Sequence, residues 1–259
     1  MPPGTGISVF FPAYNDAPSL PGLIENTFKT LNALDLDYEV IVVNDGSHDE
    51  TAQVLERLQK TWGPRLRVIT HPENRGYGGA LRSGFANATR DLVFYTDGDS
   101  QYDVRELPLL LEKLSPAVGL VNGYKTRRQD PWHRIFIGAV YNQFARLLFR
   151  IRIRDIDCDF RLVRRSLVEN LQLESTSGTI CVELVRKIEA SGCGVAEVPV
   201  SHYPRLYGRS QFFRWKSLLT TFRQLCRLYW RLVLRPAFSA APQAPLGHEN
   251  TPHRPASRN

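Results

Sequence analysis

The sequence predicts an α/β fold: a mostly parallel sheet with helices on both faces. Two observations carry the prediction. Short apolar runs rich in β-branched and aromatic residues, at 7–11, 38–43, 66–70 and 93–96, alternate with stretches whose apolar residues recur at helical spacing. The runs are mostly apolar, as strands covered on both faces are. A length of 259 residues with 42% apolar content suits one large α/β domain with an extension, or two small domains.

In order, Ile7–Phe11 is a strand broken by Pro12-Ala13-Tyr14-Asn15-Asp16. A helix is expected over Ser19–Leu34, with Pro21 in its first turn and apolar residues at 20, 23, 24, 28, 31 and 34. Tyr38–Val43 is the second strand; Asn44-Asp45-Gly46-Ser47-His48-Asp49 turns into a helix capped by Ser47 or Asp49. Leu66–Thr70 is the third strand, and Asn74-Arg75-Gly76-Tyr77-Gly78-Gly79 opens a helix through Phe85. Those glycines fit neither a Walker A loop nor a dinucleotide fingerprint and are expected to pack a helix start against the sheet. After the strand ending at Asp97 come a helix at 105–114, a strand at 118–124 and a helical stripe from Pro131 to Phe149. Residues 155–163 lead into a helix near 166–171, a further helix spans about 182–191, and Val195–Val200 is a strand.

Residues 209–235 hold seven basic and no acidic side chains, with apolar positions on a 3.6 period. They read as a basic amphipathic helix, lying in a membrane interface or docked on the core with a solvated basic face. The proline-rich residues 236–259 are expected to be disordered. The domains are therefore 1–208, 209–235 and 236–259. No stretch approaches the ~18–20 uninterrupted apolar residues of a membrane span. The amino terminus does not read as a signal peptide, and the four cysteines, with no CxxC pair, read as reduced thiols of a cytosolic chain.

The strand at 93–96 ends in Asp97-Gly98-Asp99-Ser100-Gln101. Ligands of open α/β sheets bind beyond the carboxyl ends of strands, and paired carboxylates there can hold a hard divalent cation shared with substrate phosphates. The plain alternative is a solvated acidic turn. An EF-hand is excluded, because Tyr102 stands where that loop needs glycine and Pro108 where it needs glutamate. Charge is uneven: residues 1–122 hold ten basic against sixteen acidic side chains, residues 123–235 twenty-one against nine. The second half is suited to something anionic, but no helix-turn-helix, zinc or RNP signature points to nucleic acid.

These motifs, in this order over residues 7–212, resemble family 2 nucleotide-sugar glycosyltransferases, and among them the dolichyl-phosphate or polyprenyl-phosphate mannose synthases. The resemblance implies the GT-A fold. It implies that Pro12, Tyr14 and Asp16 (aspartate where the family has glutamate) contact the nucleotide, and that Val43 and Asp45 belong to the segment whose aspartate accepts from the base. Asp97, Gly98, Asp99 and Gln101 match the metal and diphosphate motif, with magnesium or manganese expected on Asp97, Asp99 and Gln101. Lys125 stands for an arginine of the family, Asp159-Phe160-Arg161 for its Gly-Phe-Arg, and Arg134 for a basic residue near the lipid phosphate. Arg205, Gly208 and Ser210 match a loop closing over the diphosphate, in which Gln211 replaces lysine. The string Gln211-Phe212-Phe213-Arg214-Trp215 is shared with processive polysaccharide synthases, but those bring several membrane spans.

The expected reaction moves a hexose, mannose from GDP-mannose by family default, onto a polyprenyl or dolichyl phosphate with inversion. Asp99 and Arg205 are the expected catalytic residues. An acceptor phosphate, already anionic, needs no strong general base, and Lys125, Arg127, Arg128 and Arg134 are candidates to hold it. The resemblance places such a chain in the cytoplasm, peripherally on the inner face of a membrane. The alternative is a UDP-sugar donor or a soluble saccharide or protein acceptor. His71, His133 and His202 have no metal-ligand spacing and read as structural or surface groups.

Overall fold

A computed structural model describes residues 4–126, 132–207 and 215–235. Seven strands form one sheet in the order β3-β2-β1-β4-β6-β5-β7. They are β1 (Gly6–Ala13), β2 (Asp37–Asn44), β3 (Leu66–Thr70), β4 (Leu92–Thr96), β5 (Val118–Lys125), β6 (Phe160–Arg164) and β7 (Gly194–Val200). The four strands of the first half pair in parallel. β6 alone runs antiparallel, between β4 and β5, and β7 returns parallel to β5.

Helices cover both faces, and the apolar residues of each strand divide between two cores. On one face Ile7, Val9 and Phe11 of β1 meet Leu20, Ile24 and Phe28 of α1 (Leu20–Ala33), Val54 and Leu55 of α2 (Thr51–Trp62), and Leu107 and Leu110 of α4 (Leu107–Lys113). On the other, Phe10 and Tyr95 meet Leu81 and Phe85 of α3 (Tyr77–Asn87), Phe149 of α5 (Trp132–Phe149), Val168 of α6 (Arg165–Glu169) and the buried face of α7 (Thr179–Ala190). Each such side chain, fully buried, contributes about 1.5–3 kcal/mol.

Two expectations are corrected. Residues 160–164, read as the approach to a helix, form β6, because Phe160, Leu162 and Val163 are claimed by the sheet's two cores. Gly76 and Gly78 at the start of α3 pack on a loop rather than the sheet: a Cβ on Gly78 would lie 2.2 Å from the Ser175 carbonyl oxygen. The close approach of α3 to the sheet comes later, at Gly84, where a Cβ would fall 2.4 Å from the Phe10 ring. Cap chemistry before α2 is shared: Asp49 accepts from the Thr51 backbone N–H at 3.0 Å, while Ser47 Oγ accepts from Asn15 at 3.0 Å.

The carboxyl-terminal helix α8 (Trp215–Tyr229), continued by a π-helical turn at Trp230–Leu234, is docked where its side chains are described. Leu225 and Leu228 are buried in the second core, Tyr229 meets the Phe149 ring edge-on, and Gln224 accepts from Ser177 and Thr179. Phe222 and Trp230 stay exposed. The tail at 236–259 lies outside the described residues.

Candidate active site

Strand direction decides which side chains meet. β1, β2, β3 and β4 end at one edge, and β5 and β7 end there too because β6 reverses twice the sense of pairing. The start of β6 consequently lies at the same edge. Thr96 pairs with Phe160, which sets Asp159 opposite Asp97.

One guanidinium at this edge pairs with Asp99 and acts electrostatically on Asp97 and Asp16. Arg205, in the segment after β7, pairs with Asp99 Oδ2. That segment is zipped to the acidic turn: Tyr203 N donates to the Gln101 carbonyl at 2.8 Å, Gln101 Nε2 donates to the Tyr203 carbonyl at 3.0 Å, and Tyr102 bridges to His202. Asp99 Oδ1 accepts from Gln101 N at 3.0 Å, and Asp97 Oδ1 from the Tyr77 hydroxyl at 2.8 Å. Burial pushes the Asp97 carboxyl well above the usual range, reinforced by Asp159 and Asp99. Asp16 is pushed up to about 6, chiefly by burial, against the lowering effect of the Tyr14 backbone N–H.

The donor set fits a hard divalent cation. Asp97 and Asp99 offer carboxylate oxygens, and Asp99 already accommodates the positive charge of Arg205. Among the described residues no three His, Cys, Asp or Glu side chains gather to cage an ion. An ion here would therefore complete its shell from substrate and water, as magnesium-type ions do.

A second cluster sits beyond β2 and β3. Asp45, 3% exposed, donates its backbone N–H to the Ala13 carbonyl at 2.9 Å. Its Oδ1 lies 2.6 Å from His71 Nδ1 and accepts from Arg75 N at 2.9 Å. His71 is buried, and its Nε2 lies 2.8 Å from Ser83 Oγ. Tyr14 stands beside this cluster, edge-on to His48. The loop carrying Tyr14 is fixed by hydrogen bonds from Asn15 N to Ser47 Oγ and from His48 N to Asn15 Oδ1.

Pro12 and Gly98 touch directly, the Gly98 N–H donating to the Pro12 carbonyl at 3.1 Å. Val43 is fully buried beneath the edge. Lys125 Nζ donates to the Asp157 carbonyl at 2.7 Å and lies 4.0 Å from Asp155, so its charge is spent on the segment before β6. Gln101 ties the acidic turn to residue 203 through its amide nitrogen. Arg127, Arg128, Gly208, Ser210 and Gln211 lie outside the described residues, as does the side chain of Arg134.

Sequence reasoning did not single out Tyr77; it read His71 as a structural or surface group, and the buried ring between Asp45 and Ser83 is the structural case. His71 follows β3 directly, and position at a strand's carboxyl end was the signal available for it. It also missed how Arg161 organises the β6 side. That fully buried guanidinium donates to Tyr95 Oη at 2.5 Å, Asn122 Oδ1 at 2.6 Å, Asp159 Oδ1 at 2.7 Å and the Ile156 carbonyl.

Beside this edge α5 leaves a stripe uncovered: Phe136, Ile137, Val140, Phe144 and Leu147, with Phe136 63% and Leu147 70% exposed. Among the described residues no helix is long and apolar enough to cross a membrane.

Comparison with known proteins agrees with this architecture. The profile of glycosyl transferase family 2 matches residues 8–172, and the chain belongs to that family. A curated relative, undecaprenyl-phosphate 4-deoxy-4-formamido-L-arabinose transferase of Enterobacter sp. (strain 638), is 29% identical over 227 residues. The match covers 88% of this chain, which spans 66% of that relative's length. Among solved structures, glucosyl-3-phosphoglycerate synthase of Mycobacterium tuberculosis with Mn2+, uridine diphosphate and phosphoglyceric acid shares the fold, at 20% identity and a TM-score of 0.66, covering 88% of this chain and 78% of that one. The same enzyme with Mg2+ and uridine diphosphate gives 19% identity and a TM-score of 0.64, with 88% and 79% covered.

Proposed function

From its membership of glycosyl transferase family 2, we propose that the chain moves a hexose from a nucleotide-diphosphate sugar to a polyprenyl or dolichyl phosphate. The observation that carries the reading is the Asp97–Asp99–Arg205 arrangement at the carboxyl edge of the sheet. The uncovered apolar stripe of α5 favours a lipid acceptor over a soluble one, and an enzyme held peripherally on the inner face of a membrane.

Asp99 and Asp97 would hold magnesium or manganese, which when bound supplies positive charge to the leaving diphosphate. Tyr14 and Asp45 hold the nucleoside. Arg205 leaves Asp99 and puts its guanidinium on the diphosphate oxygens as the donor seats, adding charge stabilisation where negative charge develops. An anionic oxygen of the lipid phosphate attacks the anomeric carbon. The new bond joins that oxygen to the sugar, and the bond to the donor phosphate breaks with inversion. No proton need be removed from the nucleophile. Arg127, Arg128 and Arg134 are assigned to the acceptor phosphate.

Mannose from GDP-mannose is the donor expected from the sequence resemblance. A UDP-sugar is the second reading, supported by the uridine diphosphate held in the related structures. The first of these structures also holds phosphoglyceric acid, so a soluble phosphorylated acceptor is the competing acceptor class.

The test is a partition assay with purified protein, manganese or magnesium, undecaprenyl phosphate and labelled GDP-mannose or UDP-glucose. Label entering the organic phase, and lost in Asp99→Ala, supports the reading. Metal-dependent donor binding with no organic-phase label overturns the lipid acceptor.

A further inference from the structure

The hydrogen-bond occupancy of Asp45 bears on the donor's base. A carboxylate offers about four acceptor positions on its two oxygens. Asp45 Oδ1 already takes two donors, the His71 ring N–H at 2.6 Å and the Arg75 backbone N–H at 2.9 Å. Oδ2 takes no hydrogen bond from any described residue and is not among the buried atoms left without a partner. The nucleoside therefore meets a carboxylate with one oxygen saturated and one available.

The lock is rigid. His71 is itself buried and held from its far side by Ser83, 2.8 Å from Nε2. With Nδ1–H given to the carboxylate, Nε2 meets the serine hydroxyl, which can donate or accept, so both neighbours are satisfied. Asn74 Nδ2 donates to the Asp45 carbonyl at 3.1 Å, and a Cβ on Gly46 would lie 2.6 Å from Asn74 N, so backbone and side chain are clasped by the same loop. Asp45 cannot turn Oδ1 toward a nucleoside without stripping the buried ring of its partner.

Guanine presents two adjacent donors, N1–H and N2–H, which match both oxygens of a free carboxylate side by side. Uracil and thymine present one, the imide N3–H. We infer that His71, by saturating one oxygen of Asp45, makes this a site for a nucleoside diphosphate with a single-donor pyrimidine imide base rather than guanine, and that His71 is a specificity-determining positioning residue. The inference rests on Asp45 facing the base in the function proposed above. It favours the UDP-sugar reading over GDP-mannose for a reason internal to this chain. A base left with an unmatched buried donor loses about tenfold to hundredfold in affinity.

The experiment is calorimetric titration of the full chain with UDP, dTDP and GDP in manganese, compared with His71→Ala and His71→Asn. The expected result is UDP or dTDP binding at least tenfold more tightly than GDP. In His71→Ala that ratio should fall several-fold as Oδ1 is freed, and in His71→Asn, whose amide N–H restores a donor, it should recover. GDP binding as well as UDP overturns the base assignment. A ratio unchanged in a folded His71→Ala overturns the role of His71. If none of the nucleotides binds the folded wild-type chain, the donor reading itself falls, and this inference with it; tight GDP binding would sink this inference alone.

Discussion

The two sides of the carboxyl edge are built on different principles. Around β1, β2 and β4 each carboxylate is held by a short, directed contact: Asp45 by His71, Asp97 by Tyr77, Asp99 by Gln101 and Arg205, Asp16 by the Tyr14 backbone. Beside β5 and α5 the exposed feature is the apolar stripe from Phe136 to Leu147. The contrast matches the substrates proposed. A soluble nucleotide is recognised through a few fixed polar groups, whereas a lipid chain is held by non-directional burial.

The largest effect should come from the directed side. Asp99→Ala is expected to lower sugar transfer at least 10²–10³-fold while far-ultraviolet circular dichroism stays unchanged. Retained activity would show that the acidic turn is only a surface feature.

Arg205→Ala should lower transfer by about 10²-fold. It should also tighten manganese binding several-fold in the absence of nucleotide, because Asp99 loses its resident cation. Free manganese followed by electron paramagnetic resonance checks this, and weaker binding would mean that Arg205 assists the ion rather than competing with it.

The non-directional side predicts a different pattern. A Phe144→Asp/Leu147→Asp double variant should lower sedimentation with anionic phospholipid vesicles about tenfold or more, given ~1.5–3 kcal/mol per buried apolar side chain. Nucleotide affinity should not change. Equal loss of both would erase the distinction between the two sides.

The smallest effect concerns Asp16. Its folded-state value, about 6, lies above the ordinary 3.8, so the folded state binds the proton more tightly. Its contribution to stability is present below about pH 4 and is lost as pH rises through about 6. Asp16→Asn removes the ionisation and keeps an acceptor for the Tyr14 N–H. At pH 7.5 it should raise stability by about 1–2 kcal/mol after discounting for partial exposure, and the gain should vanish near pH 4 in urea denaturation.

The first half of the fold was legible because local and tertiary preferences agree there. The apolar runs at 7–11, 38–43, 66–70 and 93–96 are strands in isolation and in the sheet, and their parallel order sends Tyr14, Asp45 and Asp97 to one edge. Ordered motifs over that span pointed to the family that residues 8–172 match. Residues 160–164 were not legible, since a five-residue strand between charged neighbours has no clear period of its own.

The sequence by itself determined the sheet, its helical cover, the family and the acidic turn, all of which rest on periodicity and on residues near one another in the chain. Only the tertiary structure decided that β6 runs backward and sets Asp159 against Asp97. It also decided that Arg205 reaches Asp99 across more than a hundred residues, that α8 docks through Leu225 and Leu228, and that His71 fixes one oxygen of Asp45. Each of these contacts joins segments distant in sequence, and its partner is chosen by strand direction and burial, which no local pattern encodes.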